Sequence, residues 1–269
     1  MKLFFSALCC PALLFFSDMA FGESFKLPFW RSVVEALGYQ LPNPFGVSVS
    51  YLTLAQSAQV NQIDLQDGLF PKKMGLSSSI AAQEMSILTL KADVWLLPFL
   101  NVYGLVGQTR GESNAKVTVN WEKFDLFEMP FKINLDGNLY GAGFTLVAAK
   151  GSWFSLFDLS QSYTQLTAVD GAVATTVMSP RVGIDFSTKG LPLRLWVGGM
   201  YQHVAQTLGG NLSNIGFDLD GRYRVEQSLT SPWNAIGGAQ YQWNDHLSAL
   251  FEVGWGKRTS AFASLDFRF

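Results

Sequence analysis

Few side chains in this 269-residue chain are of a kind that does chemistry. Histidine is scarce, His203 and His246 being the two present. Cleavage of an ester or peptide needs a base that titrates near neutrality, so His203 is where a hydrolase would have to be built. It sits in Tyr201-Gln202-His203, in step with Tyr201, and no Ser or Glu is spaced along that stretch to complete a triad. His246 follows the turn-forming pair Asn244-Asp245. Asp218 and Asp220 could approach a Ca²⁺ ion, but two carboxylates fall short of a full oxygen ligand set. Cys9 and Cys10 lie in the first apolar stretch, so a chain processed beyond it carries neither disulfide nor thiolate chemistry. No phosphate loop, metal-ligand spacing or internal repeat is present, and nothing calls for a cofactor.

A second set of residues says more. Lys91, Asp93, Asp158, Arg181, Asp185, Arg194, Glu252, Asp266 and Arg268 each alternate with apolar neighbours. Four are basic and five acidic, so they can largely neutralise one another. Placed on one face, they suit either a salt-bridge network filling a narrow lumen or the lining of a small polar pore that selects its solute. Gly141, Gly143, Gly183, Gly198, Gly238, Gly254 and Gly256 fall on or near the same face; they would leave space there, or more often relieve strain where strands bend sharply.

Strands must position these residues. Hydrophobic residues make up 48% of the chain and charged ones 15%, against ~25% in soluble domains. Beyond the N-terminus no stretch approaches the ~18–20 apolar residues of a spanning helix. The apolar period is two, as in strands with one buried face. Ala261, Ala263, Leu265, Phe267 and Phe269 oppose Phe262, Ser264, Asp266 and Arg268, and the same alternation recurs at 247–255, 235–243, 193–201 and 178–186. Further strands are expected at about 152–166, 136–149, 100–109, 85–97 and 45–56. Short connections at Pro98-Phe99, Lys150-Gly151, Thr188-Lys189-Gly190 and Asn244-Asp245 alternate with long ones at 57–84, 110–135 and 205–231. This predicts an all-β fold: a closed antiparallel transmembrane β-barrel of ten strands, tight turns on one side and large loops on the other. Val117 to Phe127 could extend neighbouring strands or add a pair to make twelve. Trp30, Trp95, Trp153, Trp196, Trp233, Trp243 and Trp255 mostly fall near strand ends, as interfacial girdles require.

At the N-terminus Lys2, the apolar run Leu3 to Phe16 and Ala20-Phe21-Gly22 read as a cleaved signal peptide over 1–22. Residues 23–44 form an N-terminal segment in which Trp30, Val33, Val34 and Leu37 have helical spacing, predicting a short amphipathic helix or plug. The barrel occupies 45–269.

The terminal strand, with Leu265, Phe267 and Phe269 at alternate positions behind a signal peptide, resembles the C-terminal assembly signal of Gram-negative outer-membrane β-barrel proteins. The resemblance covers about the last nine residues. It implies an outer-membrane location, insertion by the barrel-assembly machinery, and contact with outer-membrane lipid and lipopolysaccharide. The net charge of −2, with no basic patch, gives no reason to expect a nucleic-acid partner. The function expected is non-enzymatic: a narrow channel for a small polar solute, or a structural surface barrel. The alternatives are an adhesin or host-interaction protein acting through the outer loops, and a lipid A-modifying or proteolytic barrel enzyme using His203.

Overall fold

The computed structural model describes residues 27–38, 40–66, 74–78, 80–121, 124–167, 172–211 and 222–269. The segment 1–22 expected as a signal peptide, both cysteines, and Asp218 with Asp220 lie outside the described residues. A short helix, α1 (Arg31–Ala36), precedes the strands β1 (Phe45–Gln66), β2 (Met74–Ser78), β3 (Ile80–Leu97), β4 (Leu100–Trp121), β5 (Phe124–Asn134), β6 (Gly137–Lys150) and β7 (Trp153–Leu166). Then come β8 (Ala172–Asp185), β9 (Leu193–Asn211), β10 (Arg222–Leu229), β11 (Trp233–Gln242), β12 (Leu247–Trp255) and β13 (Thr259–Arg268).

Ten of these strands form the wall. β1, β3, β4, β6, β7, β8, β9, β11, β12 and β13 pair in chain order, each antiparallel to the next. The ring closes where β13 pairs with β1, from Gly46↔Arg268 to Ala55↔Thr259. The other three strands prolong wall strands past one end. β2 continues the β3 side against β4, β5 continues β6 against β4, and β10 continues β11 against β9. The segment around Val117 to Phe127 therefore lengthens the wall and does not raise the strand count to twelve.

The packing is inverted relative to a soluble protein. The described buried residues include Ser48, Ser50, Asp93, Asn101, Ser179, Asn234, Ser248, Glu252 and Ser264, whereas Val49, Leu88, Leu90, Val106, Val182, Val197, Phe251 and Leu265 are exposed. Alternation places the polar set inside and the apolar set outside. An apolar belt running right round a closed wall is the surface a barrel shows to lipid. Aromatic residues mark both edges of the belt. Trp153 and Tyr163 on β7 are ten residues apart, as are Trp233 and Trp243, and all four are exposed. At ~3.3 Å per residue and a tilt of ~40°, that separation is roughly 25 Å of height, the thickness of such a belt. At the upper edge Tyr140 stacks on Tyr163 and Tyr201 meets Trp233, with ring centroids 5.7 and 5.3 Å apart. The fold is a closed antiparallel transmembrane barrel of ten strands.

The tight connections share one end with Phe45 and Phe269. Gly151 and Gly190 take the left-handed conformation there, with φ of 59° and 81°, and the Asn244 side chain accepts the backbone N–H groups of His246 and Leu247, both at 2.8 Å. α1 lies at the same end. The Phe29 N–H donates to the Leu96 carbonyl at 2.9 Å, and the Trp30 ring lies 6.5 Å from that of Phe99. Trp30, Val33 and Leu37 are exposed, so the apolar side of this helix is not buried as a lumenal plug would be.

The other end differs from expectation. Segments 57–84, 110–135 and 205–231, expected as long loops, are in large part strand: β1 and β4 run 22 residues each, about twice what a membrane requires. Beyond the lipid belt the outward face need not be apolar, so a hydrophobic period of two is a weaker guide to strand there. The wall is also uneven. β12 and β13 have nine and ten residues, barely enough to span. Above their hairpin β10 pairs directly with β1, from Ala58↔Leu229 to Gln66↔Arg222. Thr230 secures the change of partner, its N–H and hydroxyl both donating to the Ser57 carbonyl.

Candidate functional site in the lumen

Polar side chains from non-adjacent strands meet inside the barrel. Glu252 on β12 accepts Arg181 Nε at 2.7 Å and Arg181 Nη2 at 3.1 Å, a two-pronged pair, and Trp196 Nε1 at 2.7 Å. Arg181 is on β8, with β9 and β11 lying between, so the pair reaches across the interior. Glycines make that reach possible. Arg181 faces Gly198 in register and Glu252 faces Gly238. A Cβ on Gly198 would fall 3.1 Å from Arg181 Cγ, and one on Gly238 2.5 Å from the Trp196 ring.

A similar device operates at the closure seam. Asp93 on β3 accepts Arg268 Nη2 from β13 at 2.7 Å and Asn101 Nδ2 at 2.6 Å. Arg268 also donates Nε to the Asn43 carbonyl at 3.0 Å and stacks its guanidinium 5.9 Å from the centre of the Trp95 ring. On the far wall Asp158 accepts the Tyr103 hydroxyl at 3.0 and 3.1 Å and Thr145 Oγ1 at 2.7 Å. Tyr103 crosses Gly143 to get there, and a Cβ on that glycine would meet the hydroxyl at 2.5 Å. Near the turn end, Arg194 Nε reaches Asp185 at 2.7 Å and Nη1 reaches Gln240 at 3.3 Å, with Gln240 donating on to Ser248 at 3.1 Å.

Of the nine charges singled out from the sequence, the structure thus joins six as ion pairs: Asp93 with Arg268, Arg181 with Glu252, and Asp185 with Arg194. Asp158 is held by hydroxyls. Lys91 and Asp266 flank Ser48 in register, and the Lys91 ammonium lies 5.3 Å from the centre of the Tyr103 ring. The inward glycines have two roles. At Gly143, Gly198 and Gly238 a Cβ would crowd a neighbouring backbone carbonyl, in keeping with a tightly curved wall, and at the same positions it would strike a crossing side chain. Both roles expected of these glycines, space and relief of strain, thus fall on the same residues.

Residues with no signal in the alternation complete the site. Tyr103 counts as apolar in a hydropathy pattern, although its hydroxyl points at a carboxylate. Trp196, which the alternation does set opposite Leu195 and Val197, serves the lumen instead of a girdle. Arg258 lies in the turn between β12 and β13, where no alternation marks it, yet it is buried and donates Nη1 to Gln202 Oε1 at 2.6 Å. His203 is exposed opposite Thr176 and makes no hydrogen bond among the described residues. Nor does any group of three or more metal-ligating side chains occur among them. Leu265, Phe267 and Phe269 are exposed on the outer face of β13, with Phe269 stacked on Phe45 at 6.0 Å.

No family model matches the chain, and no curated protein matches it in sequence. Solved structures similar in outline include the outer membrane protein OprG from Pseudomonas aeruginosa, at 10% identity and a TM-score of 0.45, covering 86% of this chain and 98% of that one. The translocator domain of the autotransporter NalP from Neisseria meningitidis aligns at 13% identity and a TM-score of 0.37, over 88% and 92%. The toluene transporter TbuX from Ralstonia pickettii aligns at 9% identity and 0.37, over 85% and 90%. Each is a likeness in outline to another barrel.

Proposed function

We propose that this chain is an integral outer-membrane barrel, not an enzyme, that passes small polar solutes through a narrow hydrated lumen. Lys91, Tyr103, Thr145, Asp158, Arg181 and Arg194 point inward and are hydrogen-bonded or ion-paired or set against an aromatic ring, yet each remains partly exposed. That observation carries the reading. A barrel of about eight strands is just filled by its own side chains; ten strands leave room, and here the polar side chains line the room without closing it. The fixed ion pairs supply both signs of charge, which suits a polar solute better than a bare ion. The tight-turn end faces the periplasm and the extended end the outside, where Tyr140, Tyr163, Tyr201, Trp233 and Trp255 meet lipopolysaccharide headgroups. Leu265, Phe267 and Phe269 present the face that the assembly machinery reads.

The test is swelling of vesicles containing the refolded barrel, in iso-osmotic sugars and amino acids of graded size. Swelling that slows with solute size supports the reading. Vesicles that hold folded barrel and do not swell for any solute overturn it. A second reading, surface contact with another cell, has a specific observation behind it: β1, β4, β5 and β10 build a wall beyond the membrane. A His203 hydrolase has no comparable support: among the described residues the ring makes no hydrogen bond to a base-orienting or nucleophilic side chain.

A further inference from the structure

The lumenal arginines are not alike. Arg181, Arg194 and Arg268 each hold a carboxylate at 2.7 Å. Arg258 is only 2% exposed and has no carboxylate among the described residues. Its guanidinium donates Nη1 to the neutral Gln202 amide oxygen at 2.6 Å and Nη2 to the Met200 carbonyl at 3.5 Å, and its Nε has no partner. Burying a charge without a counter-ion is costly, and a buried donor left unmade adds to that cost. Arg181, Arg194 and Arg268 avoid the first cost by pairing with carboxylates, and Arg258 does not.

A second observation, independent of the arginine, lies beside it. Asn234 on β11 is 6% exposed, and neither its Nδ2 nor its Oδ1 has a partner. Asn234 stands opposite Met200 in register, and the Met200 carbonyl is the one that accepts Arg258. Two glycines leave room for the amide and for Ser260, whose Oγ a Cβ on Gly254 would meet at 2.3 Å. A Cβ on Gly254 would fall 2.8 Å from Asn234 Nδ2, and one on Gly256 2.9 Å from Oδ1. An uncompensated cation and an unused amide donor thus lie on either side of the Met200 carbonyl, above the layer of Arg181, Trp196 and Glu252.

We propose that Arg258 and Asn234 form an anion site in the outer half of the lumen, and that its ligand is a small carboxylate. One cation is neutralised by one negative charge, and a carboxylate's two oxygens can take the free Nε–H and the free amide N–H together. The unused Asn234 Oδ1 would then accept a hydroxyl or ammonium hydrogen on the same solute. The inference rests on the lumen being a solute path and names the class of solute that pauses there. It is tested by binding, so that it and the channel reading can fail separately.

The experiment is thermal unfolding of the refolded barrel in detergent, followed by the heat-dependent gel shift. Sodium formate and sodium acetate are titrated against sodium chloride, ionic strength held constant with sodium fluoride. The expected result is saturable stabilisation by the carboxylates in the wild-type protein, weakened roughly tenfold or more in apparent affinity by Arg258→Gln, which removes the charge-assisted bond. Asn234→Asp provides the second arm, giving Arg258 an internal counter-ion; it should fold, and the carboxylate response should disappear. Stabilisation by chloride equal to that by formate would mean an unselective ion site and overturn the carboxylate assignment. No saturable response in the wild type would leave only ordered water there. A full response retained in either variant would place the site elsewhere.

Discussion

Arg268 and Asp93 are ion-paired at 2.7 Å although they sit on strands that never touch. β1 lies between them, and the pair passes over Gly46, whose added Cβ would fall 2.5 Å from Asp93 Oδ1 and 3.1 Å from Arg268 Nη1. The barrel closes at this seam, where β13 meets β1. The pair therefore links the first three strands of the closure from inside, while Phe45 and Phe269 stack outside.

Gly46→Ala should displace that pair. Separating a buried ion pair costs on the order of 3 kcal/mol, and Asp93 would be left nearly buried without its cation. Urea unfolding in lipid vesicles should show the loss, with Ser48→Ala, two residues along, as a milder comparison. An unchanged midpoint in Gly46→Ala would show that the seam does not depend on the pair.

Glu252→Gln should likewise strand Arg181, at a cost of about 3 kcal/mol. Arg181→Met combined with Glu252→Met should cost less than the sum of the two single changes, because the partners are coupled. Additive single and double effects in a complete cycle would contradict the cross-lumen pair.

The membrane position of the belt can be tested by charge insertion. Val197 on the outer face of β9 lies midway between Leu193 and the edge residue Tyr201, and is exposed. Val197→Arg should cost about 2–4 kcal/mol, whereas Tyr163→Arg at the girdle should cost about 0–1 kcal/mol. Equal costs at the two positions would mean that the apolar belt has been placed at the wrong height.

How much of this was legible in the sequence follows from what alternation can carry. The parity of Arg181, Glu252, Asp93 and Arg268 is a local property, and with it come the strand positions, the ten-strand wall and the side each residue faces. Which charge meets which is not local. Arg181 finds Glu252 across two intervening strands because Gly198 and Gly238 leave the floor bare, and a glycine in a strand announces only an absence. Tyr103 is hidden for a different reason, since its ring and its hydroxyl give opposite signals. Arg258 sits in a turn and has no parity at all. The extensions of β1, β4 and β10 run past the lipid belt, where the outward face need not be apolar, so a hydrophobic period is a weak guide to them.

On one of those extensions Glu112 pairs with Lys132 and accepts the Asn114 amide at 3.3 Å. The hydrogen bond from Lys132, with that from Asn114 and the lysine's charge, holds the Glu112 carboxyl below its ordinary range. A depressed carboxylate stabilises the fold fully above its unfolded value, ~4.3, and the contribution fades as pH falls through the lower folded value. Amide protection factors across 112–134, corrected for intrinsic exchange, should therefore fall on acidification below about pH 4, and Lys132→Ala should flatten that dependence. A profile identical in the two proteins would assign the acid sensitivity to another group.

The measurement that bears most directly on the central claim is single-channel conductance of the refolded barrel in a planar bilayer. A narrow lumen lined by fixed pairs predicts small discrete steps. Arg194→Glu should shift ion selectivity toward cations, because it replaces a partly exposed lumenal cation with an anion. Silence from protein shown to be folded would contradict the channel, as would steps whose selectivity is indifferent to the charge at Arg194 and Glu252.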